Sequence, residues 1–157
     1  MVRSYSGLIS RIALTHEADP GHREDLKQEI VLAVWRALPA FKGESSLKTF
    51  VASIAQKRAI THISRHARQP ATSELGEELP SSDPAPDEAA IANDRRTRLL
   101  AALRSLSVAQ RETATLMLEG FSFAEIGETL GISANAAMLR CQRAKASLTE
   151  LMRTTNG

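Results

Sequence analysis

The segment that most limits this chain is QPATSELGEELPSSDPAPDEAA, running from Gln69 to Ala90. It holds Pro70, Pro80, Pro84 and Pro86, four of the chain's six prolines. Each proline removes a backbone donor and pushes the residue before it away from helix. The segment has few large apolar side chains, so burial there cannot offset the entropy of ordering it. Residues 70–86 therefore read as an extended or disordered linker. The 157-residue chain divides around it into an N-terminal part, 1–69, and a C-terminal part, 87–157.

Charge follows the same division. Residues 1–70 carry a net charge of +5, residues 71–94 carry −7 with no Lys or Arg, and residues 95–157 carry +4. Two basic blocks flank an acidic strip. Basic blocks favour phosphate backbones through counterion release; on composition alone they equally describe solvated faces.

A 43% hydrophobic content sustains a packed core, and with aromatics at 4% that core must be aliphatic. No window holds the roughly 18 apolar residues that a membrane span needs. The start MVRSYSGLISR lacks the apolar run and small-residue site of a signal peptide. The expectation is a cytoplasmic protein with no membrane insertion. A single cysteine, Cys141, excludes an internal disulfide and a multi-cysteine zinc site. Neither GxGxxG nor GxxxxGK[ST] occurs, which argues against nucleotide enzymes, and no cofactor is expected.

Both parts read as helical. Helices are predicted over 4–17, 22–38 and from Ser45 or Ser46 to about Arg68, with Asp19, Pro20 and Gly21 breaking the first from the second. After the linker, Asp87 is a candidate N-cap for a helix through Arg104. Ser107 with Gln110, and Ser122 with Glu125, make capping boxes for the next two helices. Ser133 caps a last helix to about Met152.

Residues 122–145, SFAEIGETLGISANAAMLRCQRAK, follow helix-turn-helix grammar. Gly127 is small where two helices must cross, and Gly131 permits the positive φ of the turn. At about 100° per residue, Ala137, Cys141, Ala144, Leu148 and Leu151 fall in one buried stripe about 80° wide. Cys141 is then a core residue. Asn135, Met138, Leu139 and Gln142 lie on the opposite side, flanked by Arg140 and Arg143. Asn and Gln can read adenine, and Arg can read guanine or hold phosphate.

The N-terminal part contains EDLKQEIVLAVWRALPAF followed by KGESSLKTFVASIAQKRAITHISRHAR. Its first helix shows a polar face with Asp25, Gln28 and Glu29. In the second, Lys57, Thr61, Arg65 and Arg68 lie at about 0°, 40°, 80° and 20°, with Arg58 beside them. Leu47, Phe50 and Ile54 fall at similar angles earlier in the same helix. Either one straight helix is buried at its start and basic at its end, or it bends.

At this point the chain resembles the bacterial extracytoplasmic-function (group IV) sigma factors. The residues from Glu24 through KGESSLKTFVASIA and the arginines beyond look like their second conserved region. LRSLSVAQRETATLMLEGFSFAEIGETLGISANAAMLRCQRAKASL looks like their fourth. The resemblance covers about 22–68 and 99–151, in the family's order.

It implies an all-α fold of two small helical domains: 1–69 as a region 2-like bundle, 70–86 as an acidic flexible linker, and 87–157 as a region 4-like helix-turn-helix domain. It implies a non-enzymatic subunit that binds core RNA polymerase and directs promoter recognition. Asp25, Leu26, Gln28 and Glu29, on the helix that carries Trp35, would dock on the β′ clamp. Lys42, Ser45, Lys57, Arg58, Thr61, Arg65 and Arg68 would engage a −10 element of locally melted DNA. Ser133, Asn135, Met138, Leu139, Arg140, Gln142 and Arg143 would meet a double-stranded −35 element, and the same domain would touch the β flap. The acidic linker would follow the polymerase's RNA-exit path, and an anti-sigma factor is an implied partner. The chain departs from the family where Asn135, Ala136, Ala137 and Met138 replace the common Gly-Thr-Val-Lys, removing a hydroxyl and an ammonium suited to phosphate.

Other constellations are sparse. His62 and His66 stand four apart but lack an evident third ligand, so no metal is expected. Trp35 reads as a structural core residue. The alternative function is a sigma-like helix-turn-helix protein acting mainly as an interaction module or a conventional DNA-binding regulator. A hydrolase built on His62, His66 and a carboxylate is remote, because nothing orients such a set.

Overall fold

The computed structural model describes the backbone of residues 2–67 and 88–156, with side chains at 4–65 and 89–154. The predicted linker, the Asp87 cap, Arg68 and the His66 side chain lie outside the described residues. A short 3-10 turn, Val2–Tyr5, leads into α1 (Ser6–His16), α2 (Pro20–Ala37) and α3 (Leu47–Ala67). The C-terminal part contains α4 (Glu88–Ser105), α5 (Val108–Leu118), α6 (Phe123–Leu130) and α7 (Ala134–Asn156).

Local chemistry explains the boundaries. Asp19 caps α2 by accepting the His22 amide at 2.8 Å. Pro20 is the first residue of that helix and not a breaker before it. The missing proline N–H would have had no intrahelical partner, and its fixed φ suits the first turn. Ser46 caps α3 by accepting the Thr49 amide at 3.1 Å. Ser107 accepts the Gln110 amide, and Ser122 with Glu125 forms a reciprocal capping box at α6. Arg111 closes the end of α4 by donating to the carbonyls of Leu103, Arg104 and Leu106. The last carbonyls of a helix lack full sets of intrahelical donors, and that of Leu103 also takes the Leu106 amide at 3.2 Å.

The N-terminal helices pack through Leu8, Ile9, Ile12, Leu26, Ile30 and Val34 onto Val51, Ala52, Ala55 and Ala59. Small residues on α3 let its neighbours approach closely. This resolves the ambiguity of that helix. Leu47, Phe50 and Ile54 are only half-buried at the rim, so one continuous helix keeps its core face at one angle and, on another side, passes from a half-buried rim at its start to an exposed basic face further along.

The two helical domains dock on each other. One cluster in the C-terminal domain is its own: Ala102, Leu103, Leu106, Ala114, Ala144 and Leu148. By contrast Leu116, Phe121, Ile126, Ala137 and Cys141 join the core of α1–α3. Helix α6 packs on α3, and α1 meets both α4 and α5. Among the described residues, no helix is long and apolar enough to cross a membrane.

Candidate nucleic-acid interface

Helix α2 has two faces. Leu26, Ile30 and Val34 are fully buried. Leu26, predicted as a docking residue, thus supports the helix from beneath. Asp25 and Gln28 are exposed and Glu29 is half-buried. Beside them Leu32 is 50% exposed and Trp35 59%, so Trp35 is a surface residue and not core. Asp25, Gln28, Glu29, Val31, Leu32 and Trp35 line one shallow surface cavity. Helical angle explains both outcomes: Leu32 lies within about 20° of Asp25, whereas Leu26 lies about 100° away. The same arithmetic could have placed Leu32 and Trp35 on this face from the sequence.

Next to this face, α3 presents Lys57, Arg58, Thr61 and Arg65 to solvent. Thr61 is tied down by donating to the Lys57 carbonyl at 3.0 Å. Arg65 lies 3.6 Å from Glu29 of α2. The preceding loop turns at Gly43, whose φ is +77°. Lys42 in that loop is exposed and Ser45 is half-buried. Phe41 and Phe50 pack with their rings tilted by 45° and 4.6 Å between centroids, anchoring the loop to α3. His62 faces inward and bonds Glu17 at 2.8 Å. Among the described residues no metal-ligand cluster occurs.

Lys48, at the start of α3, was missed by sequence reasoning. It pairs with Glu125 of α6 at 3.3 Å and sits 4.4 Å over the Phe121 ring. Glu125 is held below the ordinary carboxylate range, first by the Ser122 amide of the capping box and then by Lys48.

The helix-turn-helix is built as its sequence requires. Gly131 has φ +75° and ends α6. A Cβ on Gly127 would lie 2.6 Å from the Ile132 carbonyl, so only glycine permits this approach. Ser133 caps α7 by accepting the Ala136 amide at 3.0 Å. Ala137, Cys141, Ala144 and Leu148 are buried as predicted, while Leu151, the last of the predicted stripe, is only half-buried, and burial pushes the Cys141 thiol pKa up. Ser133, Asn135, Leu139, Gln142 and Arg143 are exposed. Met138 and Arg140 are half-buried, and Arg140 is electrostatically coupled to Glu112, whose carboxyl is raised mainly by burial. The surface thus offers exposed amides and the exposed Arg143 guanidinium around α7.

These features match known proteins. Residues 1–69 match the Sigma-70 region 2 model and residues 96–148 the Sigma-70, region 4 model. The ECF RNA polymerase sigma factor SigG of Mycobacterium tuberculosis (strain H37Rv) is 32% identical over 151 residues, an alignment covering 80% of this chain but 40% of SigG. The chain therefore spans less than half of that relative. The ECF RNA polymerase sigma factor SigK of Mycobacterium sp. (strain KMS) is 31% identical over 140 residues, covering 85% of this chain and 68% of SigK. In fold, the chain is similar to the sigma factor RpoE of Bartonella quintana, solved in complex with the anti-sigma factor NepR. That likeness has a TM-score of 0.74 at 21% identity, covering 97% of this chain and 94% of the other. With both regions in order and a relative matched over two thirds of its length, the chain belongs to the ECF RNA polymerase sigma factors.

Proposed function

We propose that this chain is a dissociable specificity subunit of RNA polymerase, working in the cytoplasm and without catalytic residues of its own. The observation that carries this reading is the side-by-side placement of two unlike surfaces in one domain. The α2 face joins carboxylates and an amide to exposed Leu32 and Trp35, and the adjacent flank of α3 is basic. An exposed apolar patch ringed by polar groups suits a protein partner. A basic helix suits phosphate. Docking the first on the β′ clamp delivers the second to the −10 element, where capturing an unpaired base must overcome a few kcal/mol of stacking.

The capped helix-turn-helix supplies an independent reader for the −35 element, and the β flap would hold that domain in place. An anti-sigma factor would act by covering one of these surfaces. In vitro transcription with core polymerase over a genomic promoter library tests the reading. Promoter-specific run-off transcripts are expected. DNA binding without polymerase-dependent transcription would favour a conventional regulator, and polymerase binding without transcripts an interaction module.

A further inference from the structure

Helix α3 is held to the protein differently along its length. Its first half packs through Val51, Ala52, Ala55 and Ala59, all buried in the core. Beyond Ala59 the support changes. Among the described side chains from 60 to 65, His62 is the buried one, at 1% exposed. Ile60 and Ile63 are half-buried, and Thr61, Ser64 and Arg65 are exposed. The end of α3 that carries Thr61 and Arg65 is therefore tied down chiefly at His62, whose Nε2 meets Glu17 Oε1 at 2.8 Å.

Glu17 is a fixed anchor for that bond. It stands just past α1, and its amide donates to the Ala13 carbonyl at 2.8 Å. Its second carboxylate oxygen accepts the Asp19 amide at 3.0 Å, and its carbonyl accepts Arg23 Nε at 3.3 Å. The His22 ring of α2 stands edge-on to the His62 ring with centroids 6.3 Å apart. Apolar contact is non-directional, whereas a hydrogen bond weakens steeply as its angle opens. The core packing of α3 thus tolerates a small roll about the helix axis that the His62–Glu17 bond resists. Side chains reach about 5–6 Å from a helix axis, so a roll of about 20° displaces their tips by about 2 Å, enough to break a hydrogen bond. The Arg65 side chain is 54% exposed, so its pair with Glu29 adds little to this hold on the helix.

We propose that Glu17, acting through His62, is a positioning residue for the −10 element: it fixes the roll of α3, and with it the angle at which Thr61 and Arg65 meet the DNA backbone. The inference rests on the −10 reading of α3 proposed above. Glu17 itself meets no DNA, since its carboxylate is occupied by His62 and the Asp19 amide. Its influence reaches the promoter only through the two exposed side chains on either side of His62.

The test uses the full chain with core polymerase and reads promoter opening by permanganate reactivity at the −10 element. Core affinity, the −35 footprint and the thermal melt are measured beside it. Glu17→Ala should lower opening by about three- to tenfold, the scale of one weakened hydrogen bond, with core affinity and the −35 footprint kept. Glu17→Gln still offers an oxygen to His62 Nε2 and should restore most of the opening. Arg65→Ala should cost less opening in the Glu17→Ala background than in wild type, because a misplaced Arg65 has less to lose. Two residues with separate partners would otherwise act additively. His62→Leu with Glu17→Met replaces both polar partners by apolar groups, so the melt should stay near that of wild type while opening stays low. This double apolar variant decides the question should Glu17→Ala fail to fold. Equal costs of Arg65→Ala in both backgrounds, or full opening by the double apolar variant, would overturn the positioning role. Failure of the wild-type chain to open any promoter would instead overturn the −10 reading of α3, and this role with it.

Discussion

Glu29 on α2 and Arg65 on α3 stand 3.6 Å apart, so a carboxylate of the proposed docking face pairs with an arginine of the basic flank. The Arg65 side chain is 54% exposed, so the pair is worth little in stability. It holds the guanidinium at the border of the two surfaces. Arg65→Ala should therefore leave the melting temperature nearly unchanged. It should weaken open-complex formation at every promoter with little change in sequence preference, because a phosphate contact carries no base information. The salt slope of DNA binding should fall by about one unit. Permanganate footprinting at two salt concentrations measures both effects, and a promoter-selective defect would place Arg65 against a base.

The two faces of α2 predict opposite phenotypes. Asp25→Ala with Gln28→Ala, or Trp35→Ala alone, removes exposed side chains and should alter stability by roughly 0.5 kcal/mol or less. Either should reduce the core polymerase retained in a pull-down. Leu26→Ala empties a fully buried site and should cost about 2–5 kcal/mol. Calorimetry separates the two groups, and a Leu26 variant of normal stability would contradict its placement.

Stability should depend on acid through His16. Burial lowers its pKa from 6.5 to about 4, opposed by the bond to Gln56. A base whose folded pKa is depressed binds fewer protons folded than unfolded. Its contribution is complete above about pH 6.5 and is lost as pH falls through about 4. The loss is on the order of 3 kcal/mol. Urea midpoints measured from pH 7.5 to pH 4 should drop steeply below pH 6.5, and His16→Gln should flatten that slope. A variant retaining the full slope would assign it to other groups.

Much of this architecture was legible in the residues. Serine and glycine punctuation set the starts of α5, α6 and α7, and the Ala137–Cys141–Ala144–Leu148 stripe named the buried face of α7. Pro20 was misread because a proline that breaks one helix also opens the next. The docking of the domains was invisible for a different reason. Amphipathicity says that a face is covered and not what covers it, so Leu116, Phe121 and Ile126 gave no sign of packing against α1 and α3. Arg11 and Glu119 lie 108 positions apart, beyond any local pattern. Trp35 was assigned to the core by residue type, although its angle placed it with Gln28.

Gly127 offers a sharp test of the turn. An alanine Cβ there would lie 2.6 Å from the Ile132 carbonyl and 3.2 Å from the Ser133 carbonyl carbon. Both are backbone atoms and cannot move aside as a flexible side chain would. Gly127→Ala should destabilise the protein by about 1–3 kcal/mol and weaken −35 binding, since α7 must shift to make room. The polymerase contact of α2 should persist. Thermal melts and −35 footprints report the two effects, and an unperturbed melt would mean that the helices cross with more clearance.

In the proposed reading, α7 divides its duties by position. Gln142 and Arg143 are exposed on α7, opposite or flanking the stripe that packs into the core. Gln can pair both edge groups of adenine and Arg both acceptors of guanine. Changing either to Ala should alter preference within the −35 element, costing about 1–3 kcal/mol at the base it reads. Arg140 is half-buried, so Arg140→Ala should have the smaller effect on preference. Met138 is half-buried one turn from the Ser133 cap, near the helix start where phosphates gather. Met138→Lys should tighten binding to all −35 variants alike and steepen the salt slope by about one unit, because an ammonium there meets backbone. Footprinting holoenzyme on a −35 mutant series at two salt concentrations separates these outcomes. If the Gln142 and Arg143 changes leave preference untouched while Met138→Lys changes it, the groove-facing part of α7 lies about one to two turns nearer its start, and Asn135 with Met138 becomes the reading pair.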